Sequence, residues 1–107
     1  MTEQNLRDMY VVKVMNGRVE LYNERGCYQR TIVSSNAVYA DIDMTQTKIV
    51  VTMTNGRVEL YDERGCYQRT IYNGNATQAR WAGGDIAVYS SSCVELYSDR
   101  GCYIRRI

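Results

Sequence analysis

The chain has 107 residues, the size of one small domain, and it carries 13 Lys and Arg against 12 Asp and Glu, with no His. Balanced charge argues against a broadly basic surface for nucleic acid, and the lack of His argues against a zinc site or a Cys–His nucleophile pair. No apolar run reaches the roughly 18 residues of a membrane span, and residues 1–10 lack signal-peptide features, so we expect a cytoplasmic protein that does not bind membranes.

Residues 1–8 are polar and unpatterned, which predicts a short tail. Residues 9–15 (MYVVKVM) have the length and composition of a β-strand, and the Asn-Gly pair that follows is typical of a type I′ hairpin turn. Residues 18–22 alternate apolar and polar side chains. Residues 23–26 (NERG) predict a type I turn closed by a glycine bulge, and residues 27–32 predict the returning strand.

The second unit repeats this pattern and adds one strand before it. Residues 37–43 (AVYADID) alternate in polarity, and residues 48–54 (KIVVTMT) correspond to the first strand of the preceding unit. Residues 55–71 then repeat residues 16–32 with a single change, an Asp for the Asn at the start of the second turn. We predict four antiparallel strands for this unit.

A third and more divergent unit closes the chain. Residues 76–81 correspond to the added strand, and residues 82–85 (AGGD) predict a tighter turn. Three further strands are predicted over residues 86–90, 93–98 and 102–107. No segment has a sustained apolar period of 3.6 residues, so we predict no helix.

The three copies recur at a period of about 40 residues, which is typical of β-propeller blades with four antiparallel strands. The run KIVVTMTNGRVELYDERGCYQRTI resembles the NHL-type repeat of six-bladed propellers. Two features differ from that family: the Asp expected before the turn is Thr52 or Lys13, and its Gly-Asn turn is missing. The resemblance implies an all-β, six-bladed propeller, and the absence of a Trp-Asp pair at a strand end argues against WD40 repeats.

We predict one repeat domain over residues 1–107, with an incomplete blade 1 (9–32), blade 2 (37–71) and blade 3 (76–107). Three blades cannot close a ring, because propellers have about 4–8 blades. We therefore expect a homodimer that forms a six-bladed ring, with blade 3 of each chain packed on blade 1 of the other. Either residues 2–6 supply the missing inner strand of blade 1, or the ring has gaps near its axis. The alternative is a fragment of a longer single-chain propeller.

Side chains that recur in all three units are interpreted first as structural. We expect buried, reduced thiols at the equivalent positions Cys27, Cys66 and Cys102. The recurring arginines are expected to lie on a solvated outer strand, where their charge prevents edge-to-edge aggregation, rather than to bind a polyanion: Arg30, Arg69 and Arg105. Recurring glutamates are expected to pair with those arginines across the strands: Glu20, Glu59 and Glu95.

Side chains that break the repeat are better candidates for a binding site. The innermost strands of a propeller line its axial channel, and six residues there differ between the second and third units or carry polar groups: Tyr39, Asp41, Asp43, Gln78, Arg80 and Trp81. These residues predict a channel site for a polar ligand, with Trp81 as a stacking surface. The competing interpretation is a salt-bridged, water-filled channel that only closes the ring.

The sequence favours a non-enzymatic binding or scaffold module over an enzyme, with a second copy, another protein or a small polar molecule as partner. Asp41 and Asp43 keep a small hydrolase or lyase open as an alternative, because two carboxylates can act as acid and base, and carboxylates can also bind Ca²⁺. A nucleic-acid-binding propeller, which the resemblance permits, is disfavoured by the net charge. No motif identifies a catalytic residue, a metal site or a cofactor.

Overall fold

A computed structural model describes residues 9–107, and within that range the chain consists of eleven β-strands and their turns, with no helix. The all-β prediction is therefore confirmed. Residues 2–6, considered above for the inner strand of blade 1, lie outside the described residues. No helix within residues 9–107 could span a membrane.

The strands form three antiparallel sheets, and each sheet contains strands that are consecutive in the chain. Sheet 1 contains β1 (Tyr10–Met15), β2 (Arg18–Asn23) and β3 (Tyr28–Val33). Sheet 2 contains β4 (Ala37–Ile42), β5 (Lys48–Met53), β6 (Arg57–Asp62) and β7 (Tyr67–Asn73). Sheet 3 contains β8 (Gln78–Ala82), β9 (Asp85–Tyr89), β10 (Val94–Tyr97) and β11 (Tyr103–Arg106).

Two apolar clusters join the sheets face to face. The cluster between sheets 1 and 2 contains Val19, Leu21, Ile32, Val33, Ala37, Ile49 and Val51. The cluster between sheets 2 and 3 contains Val50, Val58, Leu60, Ile71, Ala76, Ala79, Ile86 and Val88. Alternation along β5 sends neighbouring side chains into different clusters, so sheet 2 is packed on both faces. Each fully buried Val, Leu or Ile contributes about 1.5–3 kcal/mol of transfer free energy.

The two Asn-Gly pairs form different turns although their surroundings in sequence are nearly identical. Asn16 and Gly17 have φ angles of 53° and 81°, so the predicted type I′ turn is confirmed there. At the second pair the predicted turn is also present but is of another type, because only Gly56 has a positive φ, 89°, and its N–H donates to the carbonyl of Met53. A side chain at Gly56 is also excluded, since a Cβ there would lie 2.3 Å from the carbonyl oxygen of Gly74.

The difference between the turns shifts the pairing register of β1 by one residue relative to β5. Val12 pairs with Leu21, whereas Val51, its counterpart in sequence, pairs with Glu59. A slip of one residue moves side chains to the opposite face of a sheet. Val12 and Val14 accordingly pack on the cluster between sheets 1 and 2, and Val11 is 53% exposed on the outer face. β5 is paired on both sides, which fixes its register, while β1 has one partner strand.

The recurring cysteines do not belong to the core, and the prediction of buried thiols is wrong. Cys27, Cys66 and Cys102 are free and exposed, and Cys93 is free and half-buried. Each of the three exposed residues follows a turn glycine, and its backbone N–H donates to the side chain of the first turn residue: Asn23, Asp62 or Ser98. The position repeats because the turn repeats, and none of the three cysteines belongs to an apolar cluster.

Candidate functional site

The six candidate residues lie on or next to β4 and β8, the first strands of sheets 2 and 3. Tyr39 and Asp41 belong to β4, and Asp43 follows its last residue. The other three belong to β8. Since each of these strands has a neighbour on one side only, both are edge strands of their own sheets.

Asp41 and Trp81 are brought together across the gap between sheets 2 and 3. The backbone N–H of Trp81 donates to Oδ2 of Asp41 at 2.9 Å, and the indole Nε1 donates to the backbone carbonyl of Asp41 at 3.2 Å. The indole also packs on the apolar cluster between the two sheets. Both N–H groups of Trp81 therefore join the sheets, and the carboxylate of Asp41 bonds to Trp81 rather than forming an ion pair with Arg80.

Asp43 is buried and holds the turn between β4 and β5. Its carboxylate accepts hydrogen bonds from Thr45 Oγ1 at 2.7 Å and from the backbone N–H groups of Thr47 and Lys48 at 3.0 Å each. Burial by itself raises the pKa of Asp43, but these hydrogen bonds and the Lys48 ammonium, 4.0 Å away, outweigh it and lower the pKa below its ordinary value. A carboxylate held ionised in this way is suited to capping a turn, not to proton transfer.

Arg80 is exposed and is held by a tyrosine that sequence reasoning did not single out. Its Nη2 donates to the hydroxyl of Tyr89 at 3.1 Å, and its guanidinium carbon lies 5.3 Å from the centre of that ring. The hydrogen bond to Tyr89, together with the nearby Tyr39 and Asp41, raises the pKa of Arg80. Gln78 pairs with Tyr89 in the register of β8 and β9, and it is half-buried. An exposed cation bordered by phenol groups can bind an anionic or hydrogen-bond-accepting group.

A cleft of about 340 Å³ opens between sheets 2 and 3 at their turns. Lys48 Nζ lies 3.1 Å from Oδ2 of Asp99 there, and Arg64 lies 3.5 Å from Asp62. The ionic groups that line the cleft are thus largely paired with one another. Sequence reasoning missed this cleft because its walls come from two different repeats, which meet only through the stacking of the sheets.

The recurring arginines connect neighbouring sheets. Nη1 of Arg30 donates to the backbone carbonyl of Glu63 at 2.6 Å, and Nη1 of Arg69 donates to the carbonyl of Asp99 at the same distance. Arg105, the third of the series, is exposed and has no hydrogen-bond partner among residues 9–107. Arg69 and Arg105 are exposed, as expected for a solvated outer strand, but Arg30 and Arg69 also join neighbouring sheets.

The expected pairing of the recurring glutamates with those arginines is also wrong. Glu20 accepts a hydrogen bond from the hydroxyl of Tyr22 and lies 2.6 Å from Arg18, on the same strand. Glu59 and Glu95 have the corresponding tyrosine bonds, and they pair with Arg57 and Arg106. The reason is the register: Arg30 lies opposite Leu21, on the other face of the sheet from Glu20.

Among residues 9–107 there is no group of three or more His, Cys, Asp or Glu side chains that could hold a metal ion. The profile of the Helicobacter pylori IceA2 protein family matches residues 9–62, just over half of the chain. The chain belongs to the IceA2 family. In this IceA2-family chain the matched span covers sheet 1 and the first three strands of sheet 2, so it includes Asp41 and Asp43 but not Arg80 or Trp81. A comparison with curated proteins gave no match.

Proposed function

We propose that this IceA2-family chain is a non-enzymatic binding and scaffold module, three blades of a six-bladed β-propeller ring that a second copy completes. The observation that carries this proposal is the repeated stacking of the sheets. The arginine-to-carbonyl bond that joins sheet 1 to sheet 2 recurs, at the same 2.6 Å, between sheet 2 and sheet 3. A contact that repeats from one unit to the next generates a ring or a solenoid, and four-stranded units at a period of about 40 residues are typical of the ring.

The states of the two candidate carboxylates support a binding function rather than catalysis. Asp41 is engaged by Trp81, and Asp43 is buried under hydrogen bonds from its own turn. A general acid and base need two groups that can exchange protons with a substrate, and the buried, hydrogen-bonded Asp43 lacks that freedom. The hydrolase or lyase alternative therefore has less support than the binding module.

The exposed polar groups on the inner strands indicate the kind of ligand. Arg80 is exposed, with Tyr89 against it and Tyr39 nearby, while Gln78 is half-buried on the same strand. A small polar or anionic molecule, or an acidic protein segment, would find a cation and hydroxyl donors there. In a twofold ring each of these groups would be present twice around the axis.

The proposal is tested by the native mass in solution, measured by light scattering over a dilution series. We expect a dimer of two 12.3 kDa chains that dissociates only at low concentration. A folded monomer at every concentration would contradict the ring. A larger assembly would mean that the sheets stack in another symmetry, and the proposed channel would then be wrong.

A further inference from the structure

The two contacts between sheets within the chain use equivalent residues in equivalent positions. Arg30 lies opposite Leu21 and donates to the carbonyl of Glu63, and Arg69 lies opposite Leu60 and donates to the carbonyl of Asp99. The third arginine, Arg105, lies opposite Leu96 in the same register, but it has no acceptor among residues 9–107. The donor of a third such contact is therefore present at the end of sheet 3.

In each contact the acceptor carbonyl belongs to a turn of the following sheet, here called the receiving turn. The glycine of that turn lies against the preceding sheet. A Cβ at Gly65 would lie 3.5 Å from the carbonyl oxygen of Thr31, and a Cβ at Gly101 would lie 3.5 Å from that of Thr70. The equivalent glycine of sheet 1, Gly26, has φ of 85° and no atom within 4 Å of the corresponding position. The turn with Glu24 and Gly26 thus has the shape of a receiving turn without a preceding sheet in the described chain.

The apolar side chains show the same incomplete pattern. Ile32 and Ile71 are 6% and 4% exposed, because each lies under the next sheet, whereas the equivalent Ile107 is 74% exposed. Val94 and Leu96 are half-buried, although their counterparts in sheets 1 and 2 are fully buried. At the other end of the stack, Met9, which precedes β1, is 49% exposed, and Val11 and Met15 on β1 are 53% and 43% exposed. Both ends therefore present apolar surface to solvent.

We infer that the donor end of one copy, formed by Val94, Leu96, Arg105 and Ile107, docks on the acceptor end of a second copy, formed by Val11, Glu24 and Gly26. Arg105 donates to the backbone carbonyl of Glu24 of the second copy, and Ile107 covers Gly26. This inference rests on the proposed ring and specifies its contact.

A second copy fits both ends because the chain carries each part of its own repeated contact. The donor end has an arginine, an isoleucine, a valine and a leucine at the positions where sheets 1 and 2 have the same four residue types. In sheets 1 and 2 these valines, leucines and isoleucines are buried in the apolar clusters. The acceptor end has the turn sequence NERG, which differs from the receiving turn DERG of sheet 2 by one residue. A twofold axis makes the contact twice and leaves neither end exposed.

Two charge insertions test the contact and a third is their control, each measured by the dissociation constant from light scattering. Ile107→Asp and Val11→Asp alter side chains that are exposed in the single chain, so the fold of each chain is retained, as circular dichroism will check. We expect each to raise the dissociation constant by at least about tenfold, since both contacts of the ring are affected. The matched control is Val38→Asp on β4, whose side chain is 49% exposed and belongs to neither end. It should leave the constant unchanged.

A mixing experiment tests which end meets which. The Ile107→Asp chain keeps an intact acceptor end, and the Val11→Asp chain keeps an intact donor end. A mixture of the two therefore restores one unaltered contact, and native mass spectrometry should detect the mixed dimer at concentrations where neither variant dimerises alone. If wild type dimerises but the mixture does not, or the two variants dimerise normally, the end-to-end contact is wrong while the proposed assembly stands. A monomeric wild type would instead contradict the proposed function itself.

Arg105→Met tests the specific hydrogen bond and keeps most of the side chain's length. We expect a dissociation constant about tenfold higher, because a charged hydrogen bond is lost at each of two contacts. Arg100→Met is the matched control, since Arg100 is an exposed arginine in the turn before β11. Equal effects of the two substitutions would overturn the role assigned to Arg105.

Discussion

Asp43 is a buried carboxylate that is surrounded by hydrogen-bond donors of its own turn. It is 5% exposed, and it accepts three hydrogen bonds from residues 45–48, two of them from the backbone N–H groups of Thr47 and of Lys48, the first residue of β5. These bonds hold the turn between β4 and β5 in its conformation. The carboxylate therefore fixes the position at which β5 begins.

The lowered pKa of Asp43 makes part of the stability dependent on pH. The pKa of Asp43 in the fold lies below the ordinary value for Asp, about 3.9, so the carboxylate stabilises the fold above about pH 4 and loses that effect as the pH falls through the folded pKa. Asp43→Asn keeps an acceptor oxygen but not the charge. We expect it to lower the free energy of unfolding at neutral pH by about 1–2 kcal/mol and to reduce the acid-dependent loss. Urea unfolding at neutral and acid pH measures both.

The control for this prediction is Asp85→Asn, because Asp85 is half-buried at the start of β9 and makes none of these bonds. It should change the free energy of unfolding by less than about 0.5 kcal/mol. An unaltered acid dependence in Asp43→Asn would show that another carboxylate carries the effect.

Among the strands, the β10–β11 pair shows how a diverged repeat preserves a charge interaction. In sheet 2, Nη2 of Arg57 pairs with Glu59 at 3.2 Å and donates to Thr70 at 3.0 Å. In sheet 3, Cys93 stands where sheet 2 has Arg57, and Arg106 stands where it has Thr70. Arg106 lies opposite Glu95 and within 3.9 Å of it. Two changes in sequence have moved one positive charge from the inner strand of the pair to the outer one.

This compensation predicts coupling between positions 93 and 106. Arg106→Thr alone leaves Glu95 without its cation and should lower the free energy of unfolding by about 0.5–1 kcal/mol, the size of an exposed ion pair. Adding Cys93→Arg recreates the arrangement of sheet 2 and should recover most of that loss. A double-mutant cycle in urea, at one protein concentration, measures the coupling. Strictly additive effects would mean that the two changes are unrelated.

The sequence was sufficient for the strands because polarity alternates along them and turn residues separate them, as in residues 37–43 and in NERG. It was insufficient for the face that Val11 occupies, since the one-residue slip in pairing follows from the different turns that the same Asn-Gly pair forms in the two repeats. The hydrogen bonds between Asp41 and Trp81 could not be predicted from the sequence either, because these residues belong to different repeats and meet only through sheet stacking. Cys27 was predicted to be buried because a residue that recurs in every repeat has a structural role. Recurrence does not distinguish a role in a turn, which Cys27 has, from a role in the core.

In the whole molecule, sheet 2 differs from its neighbours in being covered on both faces. The described chain measures 46 × 29 × 20 Å, and the apolar clusters lie on the two sides of sheet 2. Sheets 1 and 3 each have one covered face within the chain. Resistance to local opening follows burial, so sheet 2 should be the most stable unit.

Hydrogen exchange gives a test at this scale. Residues 58–70 and 94–106 are equivalent segments of sheets 2 and 3, and only the first is covered by a following sheet in the same chain. We expect the amides of residues 94–106 to exchange at least about tenfold faster on dilution below the dissociation constant, while those of residues 58–70 remain unchanged. Exchange that is independent of concentration in both segments would contradict a covered donor end.

The near-identity of residues 16–32 and 55–71 also has a consequence for how the chain folds. The hairpins β2–β3 and β6–β7 are almost the same peptide, so their own sequence does not determine which of them pairs with β5. β6 follows β5 after residues 54–56, whereas β2 is separated from it by residues 24–47. Each doubling of a connecting loop costs about 0.6 kcal/mol of closure entropy, so the native pairing is favoured by about 2 kcal/mol through chain connectivity. The length of the chain between strands, rather than the hairpin sequence, directs each copy to its sheet.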